Sequence, residues 1–83
     1  MPTFDMQDTL EKIITIIAQE LKIEKTVVTH DVTLESLGAD SIDIVQIIMR
    51  LEEQFGIEIN DEDAEKMQSL SDIAAYVQAR RTK

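Results

Sequence analysis

The chain has 83 residues, a hydrophobic fraction of 43% and a net charge of −9. That length suits one domain, expected over residues 1–83, with a modest core and no room for an enclosed active site built from many loops. No cysteine and a single histidine, His30, exclude disulfides, thiolate chemistry and zinc sites of the Cys/His type.

Met6, Leu10, Ile13, Ile14, Ile17 and Leu21 recur at three- and four-residue steps, which predicts one stripe of an α-helix over about residues 5–22. Asp5 or Thr3 is its candidate cap, and Lys22 near its end suits the helix dipole. Residues 23–40 lose that period. Thr26, Val27, Val28, Thr29 and Val32 are β-branched, yet no partner strand is evident, so the segment reads as a long ordered loop. Ile23, Val28, Val32, Leu34 and Leu37 are its expected anchors in the core. Thr33 to Leu37 has the makings of one helical turn, ended by Gly38 in a left-handed conformation.

A second helix is predicted from Asp40 or Ser41 to Phe55, stopped by Gly56. Ile57 and Ile59 follow as connector anchors. Asn60 with Asp63 forms a capping pair for a short helix over roughly 61–66. Ser69 with Asp72 repeats the pattern before a last helix to about Ala79, with Leu70, Ile73, Ala74 and Val77 facing inward. Arg80, Arg81 and Lys83 stand at its C-terminus, where positive charge is favoured. Aromatic residues are limited to Phe4, Phe55 and Tyr76, and Pro2 is the single proline, so an aliphatic all-helical core is expected. No apolar run reaches the length of a membrane span, and no signal-like segment follows Met1, so a soluble cytoplasmic protein and a monomer are expected.

The second helix has three faces. Ile44, Ile47, Ile48, Leu51 and Phe55 cluster as the core face. Ile42, Val45 and Met49 make a separate apolar stripe, while Asp43, Gln46, Arg50 and Glu53 fill the remaining side. The stripe fits either contact with another helix of the bundle or a surface for a partner, to which the adaptable thioether of Met49 is suited. Residues 40–66 hold nine acids against Arg50 and Lys66, a local charge of −7 that leaves −2 for the rest. Such a surface repels nucleic acid and draws in basic patches on other proteins.

Ser41 follows Gly38-Ala39-Asp40 at the entry to this helix. Asp40 or Ser41 serves equally as a plain N-cap. A serine placed there is nevertheless well presented, and a helix N-terminus favours a phosphate attached to it. A nucleophile elbow is absent, because Asp40-Ser41-Ile42-Asp43 lacks the flanking glycines, and His30 is the sole candidate base. Enzymatic activity is therefore not expected. Asp61-Glu62-Asp63-Ala64-Glu65 likewise lacks the central glycine and oxygen spacing of a calcium loop.

The run Leu37-Gly38-Ala39-Asp40-Ser41-Ile42-Asp43 resembles the attachment motif of acyl carrier proteins. So does the run from Leu51 through Glu52, Glu53, Gln54, Phe55, Gly56, Ile57, Glu58 and Ile59 to Lys66. The resemblance implies a four-helix bundle with three longer helices and one short third helix. It also implies a 4'-phosphopantetheine arm on Ser41, installed from coenzyme A by a phosphopantetheinyl transferase and carrying acyl groups as thioesters. Partner docking would fall to Asp40, Ile42, Asp43, Val45, Met49, Glu52 and Glu53. The acyl chain would lie among Ile44, Ile47, Ile48, Leu51, Ile59, Ala64 and Ile73. The implied partners are fatty-acid-synthesis or acyltransferase enzymes with basic docking patches. Ile42 stands where the family usually has leucine, Gln46 where fatty-acid members carry glutamate, and Asn60 where proline is common; Arg50 adds a positive charge. These departures bear on which enzymes dock. A dedicated polyketide or peptide carrier is the alternative within the family, and an unmodified acidic interaction module the alternative outside it.

Overall fold

A computed structural model of the protein describes residues 4–83. Four helices follow in chain order: α1 (Met6–Leu21), α2 (Ser41–Phe55), α3 (Asp61–Lys66) and α4 (Leu70–Arg80), with one 3-10 turn (Lys25–Val27) in the first connection. The fold is all-α, with three longer helices and a short third one. Each helix begins at a side-chain cap. Asp5, Asp40, Asn60 and Ser69 accept hydrogen bonds from the amides of Gln7, Asp43, Asp63 and Asp72, satisfying donors that the first turn cannot pair. Thr3, the other candidate cap of α1, lies outside the described residues.

The packing of α1 corrects the expected stripe. Ile13 and Ile17 are fully buried, but Leu10, Ile14 and Leu21 only border the core, and Met6 is exposed. Thr9, Ile16 and Ala18 are buried instead. The reason is that α1 touches both α2 and α4, so its covered sector is wider than a single seam and is rotated from the apolar residues alone. The helix stops at Lys22, which takes a left-handed conformation at φ 56° while its amide bonds to the Ala18 carbonyl.

The long connection holds to the core as expected through Val28 and Leu34, with Ile23, Val32 and Leu37 packed against them. The described residues form no strand, as expected, and the connection makes one isolated bridge. Thr33 forms an isolated antiparallel bridge with Ser69, and the Leu34 and Leu70 amides donate to the Gln68 and Val32 carbonyls at 3.0 Å. Only one bridge forms because α4 starts at once, leaving the 67–69 segment too short for a strand. Thr33 and Ser36 then exchange hydrogen bonds between their hydroxyls and amides. A single turn closes at Gly38, whose φ of 90° a side chain would resist.

The core gathers Ile13, Ile17, Ile47, Leu51, Phe55, Leu70, Ile73 and Val77, all fully buried. At the end of α2 distant from Ser41, a polar cluster closes the bundle. The Arg81 guanidinium donates to the Thr9 hydroxyl at 2.7 Å and to Asp8 at 3.1 Å. It also donates to the Lys83 carbonyl and lies over the rings of Phe4 and Phe55. Gln78 joins Thr9 to the Phe4 carbonyl, and the Thr82 amide bonds to the Phe55 carbonyl at 2.9 Å. Hydrogen bonds from Lys12 first, and then from Arg81, hold the Asp8 carboxyl below the usual carboxylate range. A smaller joint fixes α3. The Tyr76 phenol donates to Asp63 at 2.7 Å, and burial foremost, with that bond second, raises its pKa.

Candidate functional site

The entry to α2 is assembled by its own sequence. Gly38 redirects the chain, Asp40 takes an extended N-cap conformation, and Ser41 becomes the first helical residue. Asp40 and Asp43 cap each other. The Asp43 amide donates to the Asp40 carboxylate at 2.8 Å and the Asp40 amide to the Asp43 carboxylate at 3.2 Å. This reciprocal box fixes the first turn and leaves the hydroxyl-bearing residue between the two acids exposed. The question of whether Asp40 or Ser41 is the cap is resolved: Asp40 caps, so the Ser41 hydroxyl has no capping duty.

The second apolar stripe is not a bundle contact. Ile42, Val45 and Met49 are 69%, 57% and 59% exposed, whereas Ile47, Ile48, Leu51 and Phe55 on the other side of the same helix are buried. Three of the five large hydrophobic residues exposed on the described surface therefore stand in one row, beginning beside Ser41. Gln46 and Glu53 are exposed along it, and Asp43 and Glu52 are half-buried at its margins.

Glu52 and Arg50 on α2 have internal partners. The Glu52 carboxylate accepts from the Ile59 amide at 2.8 Å. Its backbone carbonyl also receives the Gly56 and Ile57 amides, so one residue anchors the reversal between α2 and α3. Arg50 turns to α1, where its guanidinium meets Glu20 at 3.3 Å and Gln19 at 2.8 Å. Neither engagement has a local sequence signature, since the partners lie 7, 30 and 31 residues away.

The residues assigned to the acyl chain belong to the core cluster or border it. Ile47, Ile48, Leu51, Ile59 and Ile73 are buried, while Ile44 and Ala64 are half-buried against them. His30 is exposed, and its backbone carbonyl receives the Ser71 hydroxyl at 2.9 Å. Among the described residues no group of three or more His, Asp or Glu side chains is placed to hold a metal ion.

The model of the phosphopantetheine attachment site family matches residues 11–77. A solved acyl carrier protein from Enterococcus faecalis, described for its high thermal stability, is 34% identical, with 92% of this chain and 98% of that one covered and a TM-score of 0.78. The chain belongs to the acyl carrier protein family. It is accordingly a carrier and not an enzyme, and its cofactor is phosphopantetheine. A carrier of this kind works with a phosphopantetheinyl transferase and with acyl-handling enzymes. None of its helices is long and apolar enough to cross a membrane, among the described residues. The matched span contains α2 complete and every residue from Asp40 to Ile73 discussed above.

Proposed function

We propose that Ser41 is the attachment residue and that the chain is one carrier domain delivering acyl thioesters to enzymes of fatty-acid or lipid synthesis in the cytoplasm. The observation that carries this reading is the exposed Ser41 hydroxyl at the head of α2, free of capping and adjoining the exposed Ile42–Val45–Met49 row. The fit to the cofactor is chemical. A phosphodiester at Ser41 would meet the positive end of the helix dipole, where the Asp40–Asp43 box has already used two of the first amides. Loading forms a bond from the Ser41 oxygen to phosphorus as the pyrophosphate of coenzyme A breaks. Adenosine bisphosphate leaves, and the hydroxyl proton passes to a base on the transferase. The pantetheine thiol supplies the sulfur that this cysteine-free chain lacks.

Docking falls to the exposed row with Asp40, Asp43, Glu52 and Glu53 around it, an apolar strip with an acidic border that suits a partner carrying a basic rim. Ile44, Ile47, Ile48, Leu51, Ile59, Ala64 and Ile73 are the proposed lining for an acyl chain drawn between the helices. The test is intact mass after incubation with coenzyme A, magnesium and a broad-specificity transferase. The protein should gain one phosphopantetheine unit, and Ser41→Ala should gain none while keeping its helical circular dichroism. A full gain on Ser41→Ala would move the attachment elsewhere, and no gain on either, with an authentic carrier modified in parallel, would defeat the assignment.

A further inference from the structure

Arg50 is the one cation on α2, and helical spacing places it beside the proposed docking face. Glu53 lies three residues on, within reach of an i,i+3 pair on the same helix. The two side chains also line the same shallow hollow. Arg50 nevertheless makes no ion pair with Glu53. Its guanidinium is drawn the other way, with one nitrogen on Glu20 and the other on Gln19, so both its ends are occupied by α1. Glu53 is left exposed, without an ion pair among the described residues.

We propose that Glu20 and Gln19 are positioning residues for partner recognition: they hold Arg50 against α1 so that it neither neutralises Glu53 nor presents a positive charge to a basic partner. The proposal rests on the docking role of α2 stated above. Its physical content is a choice between two carboxylates for one guanidinium. Glu20 has the advantage of being half-buried, with the adjacent Gln19 amide oxygen adding an acceptor from a second side chain. Without them, Arg50 returns to the exposed side of its own helix. There its field opposes an incoming basic rim, which is felt chiefly in the encounter.

The test uses the apo protein as substrate for a phosphopantetheinyl transferase, with kcat and KM for loading measured at low and high NaCl. Glu20→Gln combined with Gln19→Ala should raise KM about two- to fivefold at low ionic strength, the range expected for one surface ion pair. The effect should shrink with salt, and kcat should stay the same. Adding Arg50→Ala to that double variant should return KM to the starting value or below. Asp72→Asn, which removes one exposed charge from α4, where no hollow is shared with Arg50, should leave KM near that of the unaltered protein. An unchanged KM in the double variant would overturn the proposal. So would a persistent defect after Arg50→Ala, or an equal defect in Asp72→Asn. Glu53→Lys serves as the separate check on docking: if it loads normally, the docking reading itself fails, independently of Arg50.

Discussion

Arg81→Ala tests how the bundle is held at the end distant from Ser41. The Arg81 side chain is only 2% exposed, and its guanidinium joins α1 to the C-terminal segment while covering Phe4 and Phe55. The bond to Asp8 contributes little to the reckoning, because that carboxylate is solvent-exposed and keeps Lys12 as a partner. What counts is the buried bond to Thr9, the bonds to the Lys83 carbonyl and the contact with two rings. A charged hydrogen bond in such a setting contributes about 1.5–3 kcal/mol, and a desolvated cation over an aromatic ring about 2 kcal/mol. These overlap, so the expected loss is about 3 kcal/mol rather than their sum. For a domain of this size each kcal/mol moves the melting temperature by about 4–8 °C, so the fall should be roughly 12–24 °C. Arg81→Met, which refills the slot between the rings without the polar bonds, should recover part of that loss. The assay is thermal unfolding followed by circular dichroism, with Ser41 loading measured well below the transition and expected to be unchanged. A fall of less than about 4 °C for Arg81→Ala, equivalent to no more than ~1 kcal/mol, would refute the reasoning.

Gly56 ends α2 at φ 63°, and a Cβ there would collide with the Thr82 hydroxyl; Gly56→Ala should therefore cost more than the ~1 kcal/mol of left-handed backbone strain alone, read as a lowered denaturant midpoint. Glu52→Ala removes the acceptor for the Ile59 amide, and the sharpest expected result is faster hydrogen exchange at that amide, with α1 amides protected as before. Asp8 has a lowered pKa in the folded protein, so it favours folding above the ordinary carboxylate pKa of about 4 and loses that contribution as pH falls through its lowered value. Asp8→Asn should thus be less stable near neutrality yet less sensitive to acid, as an unfolding titration would register.

Much of the architecture was written in local chemistry. The capping pairs at Asn60/Asp63 and Ser69/Asp72 marked two helix starts, Asp40 or Ser41 marked the start of α2 and Gly56 its end, because such signals act within one turn of chain. The three faces of α2 were legible for the same reason, although the choice between buried contact and open surface for Ile42, Val45 and Met49 needed the position of the other helices. What escaped were bonds between distant segments. Arg81 reads in sequence as an ordinary cation at a helix C-terminus, and nothing local reveals that Phe4, Phe55 and Thr9 converge on it. Thr9 reads as polar surface on α1 for the same reason. Glu52 enters the docking surface through the family resemblance, while its hold on Ile59 depends on the chain reversing at Gly56.

The distribution of ion pairs makes a last expectation about salt. The three salt bridges among the described residues are Lys12–Asp8, Arg50–Glu20 and Arg81–Asp8. None uses an acid from residues 40–66, although that segment contains nine of them; its only internal relief is hydrogen bonding, as at Asp40, Asp43, Glu52 and Asp63. Folding gathers these charges on α2, α3 and the turn between them, so their mutual repulsion opposes the native state more than the extended chain. At 10 mM salt the screening length is about 30 Å, comparable to the molecule, and at 0.1 M it is about 10 Å. Raising NaCl across that interval should raise the melting temperature, and magnesium should act at lower concentration because of its double charge. Glu53→Gln, which removes one unpaired member of the set, should raise the melting temperature at low salt and reduce the response to added salt. If the melting temperature is flat across the salt range, repulsion among these carboxylates is not a significant cost of the fold, and the acidic surface is retained without a stability penalty.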